Sequence, residues 1–228
     1  MMQRRFFTQA ALSAIASTLL ADRAAAVSES QAASGIRAAL ERGAVVAVSL
    51  LGRTDGFLGN PSVRIPLPGV LHDAAKLLKA IGQQHRVDEL VTAMNRAAEA
   101  AVPQAKSLLV DAVKAMSVED ARHILTGGDD AATQFFAAKT REPLSLRFLP
   151  IVTRATERVA LADKYNAVAA KAASFGLVKK EDANVQQYVT GKALDGLYFM
   201  IGEEERKIRQ DPIATGSAIL KQVFGSLK

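Results

Sequence analysis

Residues 87–116 read VDELVTAMNRAAEAAVPQAKSLLVDAVKAM. Turned by about 100° per residue, Val87, Leu90, Val91, Met94, Ala98, Ala101, Ala105, Leu108, Leu109, Ala112 and Met116 all fall within about 60° of one line, which is the apolar stripe of an amphipathic helix. Its middle is alanine, so a neighbouring helix can approach closely. Pro103 lies on the far side and should kink the helix, because it has no N–H to donate and leaves the carbonyl of Glu99 without its helical partner.

The same period extends in both directions. Ile36, Ala39, Leu40, Ala44, Val45, Val48 and Leu51 recur at steps of three and four and predict a helix ending near Gly52. From Thr54 to Gly69 the period breaks, with Gly56, Gly59, Asn60, Pro61, Pro66, Pro68 and Gly69 crowded together. Within that loop Val63-Arg64-Ile65-Pro66-Leu67-Pro68 alternates as an extended segment would. Its prolines cannot donate to a ladder, so it reads as an edge segment or a strap across the helices. A short helix is predicted over 70–81. Ser117 opens another with Asp120 at the capping-box position, and Gly127-Gly128 closes it. Asp129 or Asp130 is expected to cap the next, which passes Phe135-Phe136, breaks at Pro143 and Pro150, and resumes from about Ile151 to Phe175. After a loop from Gly176 to Asn184, a helix over Val185 to Gln210 places Tyr188, Val189, Leu194, Leu197, Tyr198, Phe199, Met200 and Ile201 all round its axis, the pattern of a central helix. Asp211-Pro212 ends it, and a final helix reaches Phe224. The expected fold is all-α, a single-domain multi-helix bundle with a long proline- and glycine-rich loop after its first mature helix.

Composition agrees. Of 228 residues 49% are hydrophobic and 23% charged, with no cysteine, which excludes a disordered tail, a disulfide scaffold, a thiolate metal site and a cysteine nucleophile. Aromatic residues make up only 5% of the chain, and the abundance of Ala, Leu and Val favours close-packed helices over sheets.

The first 26 residues read as a cleavable signal peptide. Arg4 and Arg5 precede an apolar stretch from Ala10 to Leu20, and Ala24-Ala25-Ala26 supplies small residues for cleavage. The stretch is too short for a bilayer core, which takes about 20 apolar residues, so no stable span is expected in the mature chain. Gln3-Arg4-Arg5-Phe6-Phe7-Thr8-Gln9 resembles a twin-arginine export motif, with the general secretory route as the alternative. No cysteine stands at the cleavage point, which excludes a lipoprotein. The mature domain, 27–228, is therefore expected in the periplasm. Loss of the leader removes Arg4, Arg5, Arg23 and Asp22, lowering the net charge of +6 by two. The remaining basic residues are interspersed with acids and lack a stacking platform, so nucleic acid is not an expected partner.

Catalytic signatures are absent: there is no phosphate-binding glycine loop, no dinucleotide fingerprint, no nucleophile elbow and no zinc helix. Glu119 and His123 can share a helix face, but Asp120-x-x-His123 has no second copy, so helix capping by Asp120 beside an exposed His123 is the reading and no metal or cofactor is expected. Glu203-Glu204-Glu205 ahead of Lys207 and Arg209 reads as a solvated face with pairs Glu203–Lys207 and Glu205–Arg209. Asp195 sits among Leu194, Leu197, Tyr198 and Phe199, where a buried carboxylate needs a cationic or donor partner. Asn95, Arg96 and Glu99 flank the alanine seam. Arg64, Asn95, Arg96, Glu99, Asp195 and Tyr188 are the candidate ligand-binding residues, expected to converge beside the central helix and the strap.

Blocks along the chain resemble a known family. They are Gly56-Phe57 with Asn60-Pro61 and Val63 to Pro68, Asn95-Arg96-Ala97-Ala98-Glu99, Glu119-Asp120-Ala121 with Ile124-Leu125 and Gly127, Ala132-Thr133, Tyr165-Asn166, Tyr188-Val189-Thr190, Ala193-Leu194-Asp195-Gly196-Leu197, Glu204-Glu205 with Ile208-Arg209 and Pro212, and Val223-Phe224-Gly225. From about Gly35 to the C-terminus they resemble, in order, the bacterial domain-of-unknown-function family numbered 4197. After Pro212 that family's pattern carries an Arg and paired Thr, and Thr215-Gly216-Ser217 stand here instead. The resemblance implies an exported, helical, envelope-located protein and assigns no activity. The function expected from the residues is non-catalytic binding of a lipid or other apolar or amphipathic molecule, or of an envelope protein. The alternatives are an acid–base enzyme using Asp195 or Glu99 with Arg64 or Arg96 holding an anion, and an assembly or scaffold role.

Overall fold

A computed structural model describes residues 31–157, 159, 162–163, 165–167, 170 and 184–211. The leader, the loop expected over 176–183 and the final helix to Phe224 lie outside the described residues.

Among the described residues the fold is all-α, with no strand. Helix α1 covers residues 31–51, and the others are α2 (His72–Ala80), α3 (Gln84–Ala101), α4 (Ala105–Lys114), α5 (Val118–Thr126), α6 (Ala131–Thr156) and α7 (Val185–Gln210). The stripe of 87–116 is realised as α3 and α4 joined by a 3₁₀ turn at Val102–Gln104, so Pro103 bends the axis without ending the helical path. Ala97, Ala98, Ala101 and Ala105 are fully buried along the seam. The closeness that alanine permits is also used at the bend: Gly52, at the end of α1, lies against Pro103, where a Cβ would stand 2.9 Å from its ring.

The breaks expected at Pro143 and Pro150 do not occur; α6 runs unbroken through both. The reason is where the freed carbonyls go. Leu146 and Lys139, the residues whose carbonyls Pro150 and Pro143 leave unpaired, are both exposed, so the lost helical bonds fall on the solvent side of the helix and not in the core. The buried residues of α6, Ala132, Phe136, Thr140, Leu144, Phe148, Val152 and Thr156, recur every fourth position. A row of that period drifts about 40° per step around a helix of 3.6 residues per turn. The buried row therefore winds around α6, which packs against α3, α4, α5 and α7. The hub expected at Val185–Gln210 is thus shared with α6.

Helix α7 is not buried all round. Lys192, Asp195, Phe199 and Arg206 form an exposed strip along it, and Phe199 is 42% exposed.

Ser117 caps α5 as expected: its hydroxyl accepts from the Asp120 N–H at 3.0 Å and its own N–H donates to the Asp120 carboxylate at 2.9 Å. That N–H, and the Ser117 hydroxyl donating to the same carboxylate at 2.8 Å, favour the ionised Asp120 and hold its pKa below the ordinary carboxylate value. At α6 the expected aspartate cap is absent. Asp130 occupies the position without bonding the helix N–H groups, and Glu205 of α7 takes over: its carboxylate accepts from the N–H of Ala132 at 3.0 Å and of Thr133 at 2.9 Å. Glu205 is 4% exposed, so the solvated reading of the acidic run fails at this residue. The expected Glu205–Arg209 pair is present at 2.8 Å, and Arg209 also donates to the carbonyl of Ile124. The guanidinium thus meets the carbonyl end of α5 and the carboxylate meets the N–H end of α6, each with the sign the helix dipole favours. The rest of the run pairs at a spacing one residue shorter than expected, as Glu203 with Arg206 and Glu204 with Lys207.

Candidate functional site

The sequence candidates separate into a strap clamp and a groove. In the strap, Val63 and Ile65 point inward and Arg64 and Pro66 outward, which is the alternation expected of an extended segment. Asn95 bonds it from α3. Its side-chain oxygen accepts from the Ile65 N–H at 2.8 Å, and its NH₂ donates to the carbonyls of Ile65 at 3.0 Å and Val91 at 2.8 Å. One turn on, Glu99 accepts from the N–H groups of Phe57 at 3.0 Å and Leu58 at 3.1 Å. Arg96 donates to the other Glu99 oxygen and, at 2.8 Å, to Asp55. These hydrogen bonds, Glu99 first and Asp55 second, hold the Arg96 proton more tightly than in a free guanidinium. Asp55 has a φ of 63°, in the left-handed region that Asp tolerates better than most residues. From α7, the Tyr188 hydroxyl donates to the carbonyl of Pro66 at 3.2 Å. The Phe57 ring lies on Gly196, where a Cβ would come within 2.7 Å of it.

Asn95 therefore meets the strap from α3 and Tyr188 meets its far end, Glu99 and Arg96 hold the loop that leads into it, and Arg64 stands on the exposed side. Asp195 is elsewhere. Its side chain is 52% exposed and pairs with Arg141 of α6 at 2.8 Å and with Lys192 at 3.7 Å. This corrects the expectation of a buried carboxylate: Asp195 shares the exposed strip of Lys192, Phe199 and Arg206, whereas Leu194, Leu197 and Tyr198 are buried. The expectation of a cationic partner holds.

Arg141–Asp195 belongs to a graded set of contacts. Ala132 meets Glu205, Thr140 meets Tyr198 at 2.9 Å and Arg141 meets Asp195, so α6 and α7 run antiparallel. Beyond Arg141 the two helices leave an open groove of about 890 Å³. On the α6 side it is lined by Ala137, Ala138, Arg141, Glu142, Ser145 and Leu149, and on the α7 side by Gln187, Tyr188, Thr190, Gly191, Lys192, Leu194 and Asp195. One end carries both signs of charge, the middle carries hydroxyls, and the floor is apolar. Arg141 lies 5.2 Å from the centre of the Tyr198 ring and Lys192 6.0 Å from that of Tyr188, so the cations are seated on aromatic faces as well as paired. Burial pushes the Tyr198 hydroxyl above its ordinary pKa, with Thr140 and Arg141 opposing. That hydroxyl therefore stays protonated through the neutral range.

Arg141, Glu142, Ser145, Thr190 and Gly191 were not among the sequence candidates. Arg141 lies on a segment that the prolines predict to be interrupted, and Gly191 reads as an ordinary weak point in a helix. Glu119 and His123 do share a face, 3.2 Å apart and exposed. Among the described residues no group of His, Asp and Glu is placed to hold a metal ion, and no helix is long and apolar enough to cross a membrane.

No curated protein and no solved structure matches the chain. The model of the family described as a protein of unknown function, DUF4197, matches residues 26–225, and the chain belongs to that family.

Proposed function

We propose that the protein is exported to the periplasm by residues 1–26 and there binds an amphipathic molecule in the α6–α7 groove without transforming it. The observation that carries this reading is the groove's mixed lining, in which the charged Arg141, Glu142, Lys192 and Asp195 stand beside the apolar Ala137, Leu149 and Leu194. A volume of about 890 Å³ suits a small amphiphile, since ligand sites of about 300–1,000 Å³ are usual. In this reading Asp195 and Tyr188 line the ligand, and Asn95, Arg96 and Glu99 serve it indirectly by holding the strap. The oxygens of Glu99 are already taken by three N–H donors, Phe57, Leu58 and Arg96, which leaves it poorly placed as an acid or base.

Two measurements test the proposal. Protein isolated from its native envelope is weighed by native mass spectrometry and melted against a lipid panel; a co-purified amphiphile, or a raised melting temperature with one, is expected. A clean apo mass with no shift across the panel refutes ligand binding. N-terminal sequencing of the exported chain should begin near Val27, and Arg4→Lys with Arg5→Lys should block export by the twin-arginine route while leaving general secretion working.

A further inference from the structure

We infer that the α6–α7 groove seats a monoacyl lipid with a zwitterionic head, a phosphate joined to a primary amine, and that its acyl ester lies over Gly191 and Thr190. The inference rests on the groove being an amphiphile site and assigns that amphiphile's chemistry. Gly191 carries the first observation. Gly43, Gly196 and Gly202 each have a neighbour within van der Waals reach of a built Cβ, but at Gly191 nothing among the described residues lies within 4 Å. A mid-helix glycine costs stability relative to alanine, and no packing contact among the described residues requires it. What its missing side chain does is leave space in the groove wall.

Thr190 carries the second. It is 3% exposed, and its hydroxyl is buried with no hydrogen-bond partner among the described residues. Thr140, Thr153 and Thr156 of α6 each turn the hydroxyl back to the carbonyl four residues earlier. Thr190 does not, although it too is helical. A buried hydroxyl without a partner is costly, and rotation of the Thr190 side chain toward the open space at Gly191 would let an ester carbonyl there accept its proton.

Charge identifies the head. Arg141 and Lys192 face Glu142 and Asp195 at the same end, so the groove balances two cations against two anions. A bare anion would gain from the cations and lose to the carboxylates. A phosphate with a primary amine meets both, the phosphate at Arg141 and Lys192 and the amine at Glu142 and Asp195. From Asp195 to Gln187 the groove follows α7 for about 12 Å at about 1.5 Å per residue, enough for head, glycerol and ester before the chain passes Leu149.

The test uses full-length mature protein and palmitoyl lysophosphatidylethanolamine below its micellar concentration, with palmitate and lysophosphatidic acid as comparators, read by native mass spectrometry and titration. The zwitterion should bind about tenfold or more tightly than either comparator, the scale of one or two charge-assisted hydrogen bonds. Gly191→Trp should remove binding while the melting temperature holds, because the added ring enters open space. Gly191→Ala should keep or raise the melting temperature, and Thr190→Val should weaken binding without loss of stability. Equal binding of palmitate and the zwitterion, abolished by Gly191→Trp, overturns the head assignment alone. Zwitterion binding unaffected by Gly191→Trp overturns the placement. Failure of all three lipids and of the wider panel overturns both this inference and the reading it rests on.

Discussion

The side-chain amide of Asn95 pairs with the backbone of Ile65 in both directions, accepting its N–H at 2.8 Å and donating to its carbonyl at 3.0 Å. A single residue of a helix thereby does for an extended segment what a neighbouring strand would do. Asn95→Ala leaves both Ile65 groups without their side-chain partner, and each buried group so left costs about 1–3 kcal/mol. A loss of about 3 kcal/mol is expected in urea unfolding, with the Ile65 amide losing its protection from hydrogen exchange ahead of α3. Unchanged protection at Ile65 would refute the clamp.

Glu205 joins the start of α6 to Arg209 through one buried carboxylate. Glu205→Ala strips acceptors from Ala132 and Thr133 and leaves Arg209 partly buried without its carboxylate. Breaking a buried pair from one side costs about 3–5 kcal/mol. Adding Arg209→Ala should recover part of that loss. The prediction fails if the two substitutions prove additive in a double-mutant cycle.

Gly191 and Gly196 lie five positions apart on α7 and should respond to alanine with opposite signs. At Gly191 the new methyl meets nothing, so the helical preference for alanine should stabilise by about 0.5–1 kcal/mol. At Gly196 it meets the Phe57 ring at 2.7 Å, and overpacking of that kind costs about 1–3 kcal/mol. Thermal unfolding of the two single variants decides it.

Acid should weaken the start of α5. Asp120 has a folded-state pKa below its ordinary value of 3.8 because Ser117 bonds the charged form. Its contribution is therefore present above the ordinary carboxylate range and is lost as pH falls through the lowered value. Wild type should exceed Asp120→Asn in stability at neutral pH, and the gap should close on acidification. A gap that stayed constant down to strong acid would disprove the linkage.

The helices were legible because their apolar residues repeat at the helical period, and the α5 cap was legible because Ser117 and Asp120 are neighbours in the chain. Pro143 and Pro150 misled because proline's effect depends on whether water can reach the freed carbonyl, which is a property of the packed molecule. Glu205 was hidden in an acidic run, although it continues the row Tyr198 and Ile201 at steps of three and four, and that phase marks it as inward-facing. Asp195 shows the converse: apolar neighbours in sequence on a helix face away from it. Asn95, Arg96 and Glu99 were recognisable as a polar network, but their partners lie in a segment about 30–40 residues away, a pairing no local pattern encodes. Thr190 and Gly191 gave no signal, because what distinguishes them is the absence of a neighbour.

The reach of Glu205 across the chain also orders events in time. The start of α6 takes its cap from a residue 73 positions later, so a nascent chain that has not yet produced α7 holds α6 with open amide groups at its first turn. The α5–α6 corner should therefore fray in any shorter intermediate and become fixed only when the far helix docks. Pulse-labelling during refolding should find Ala132 and Thr133 protected together with the amides of α7, not with those of α5.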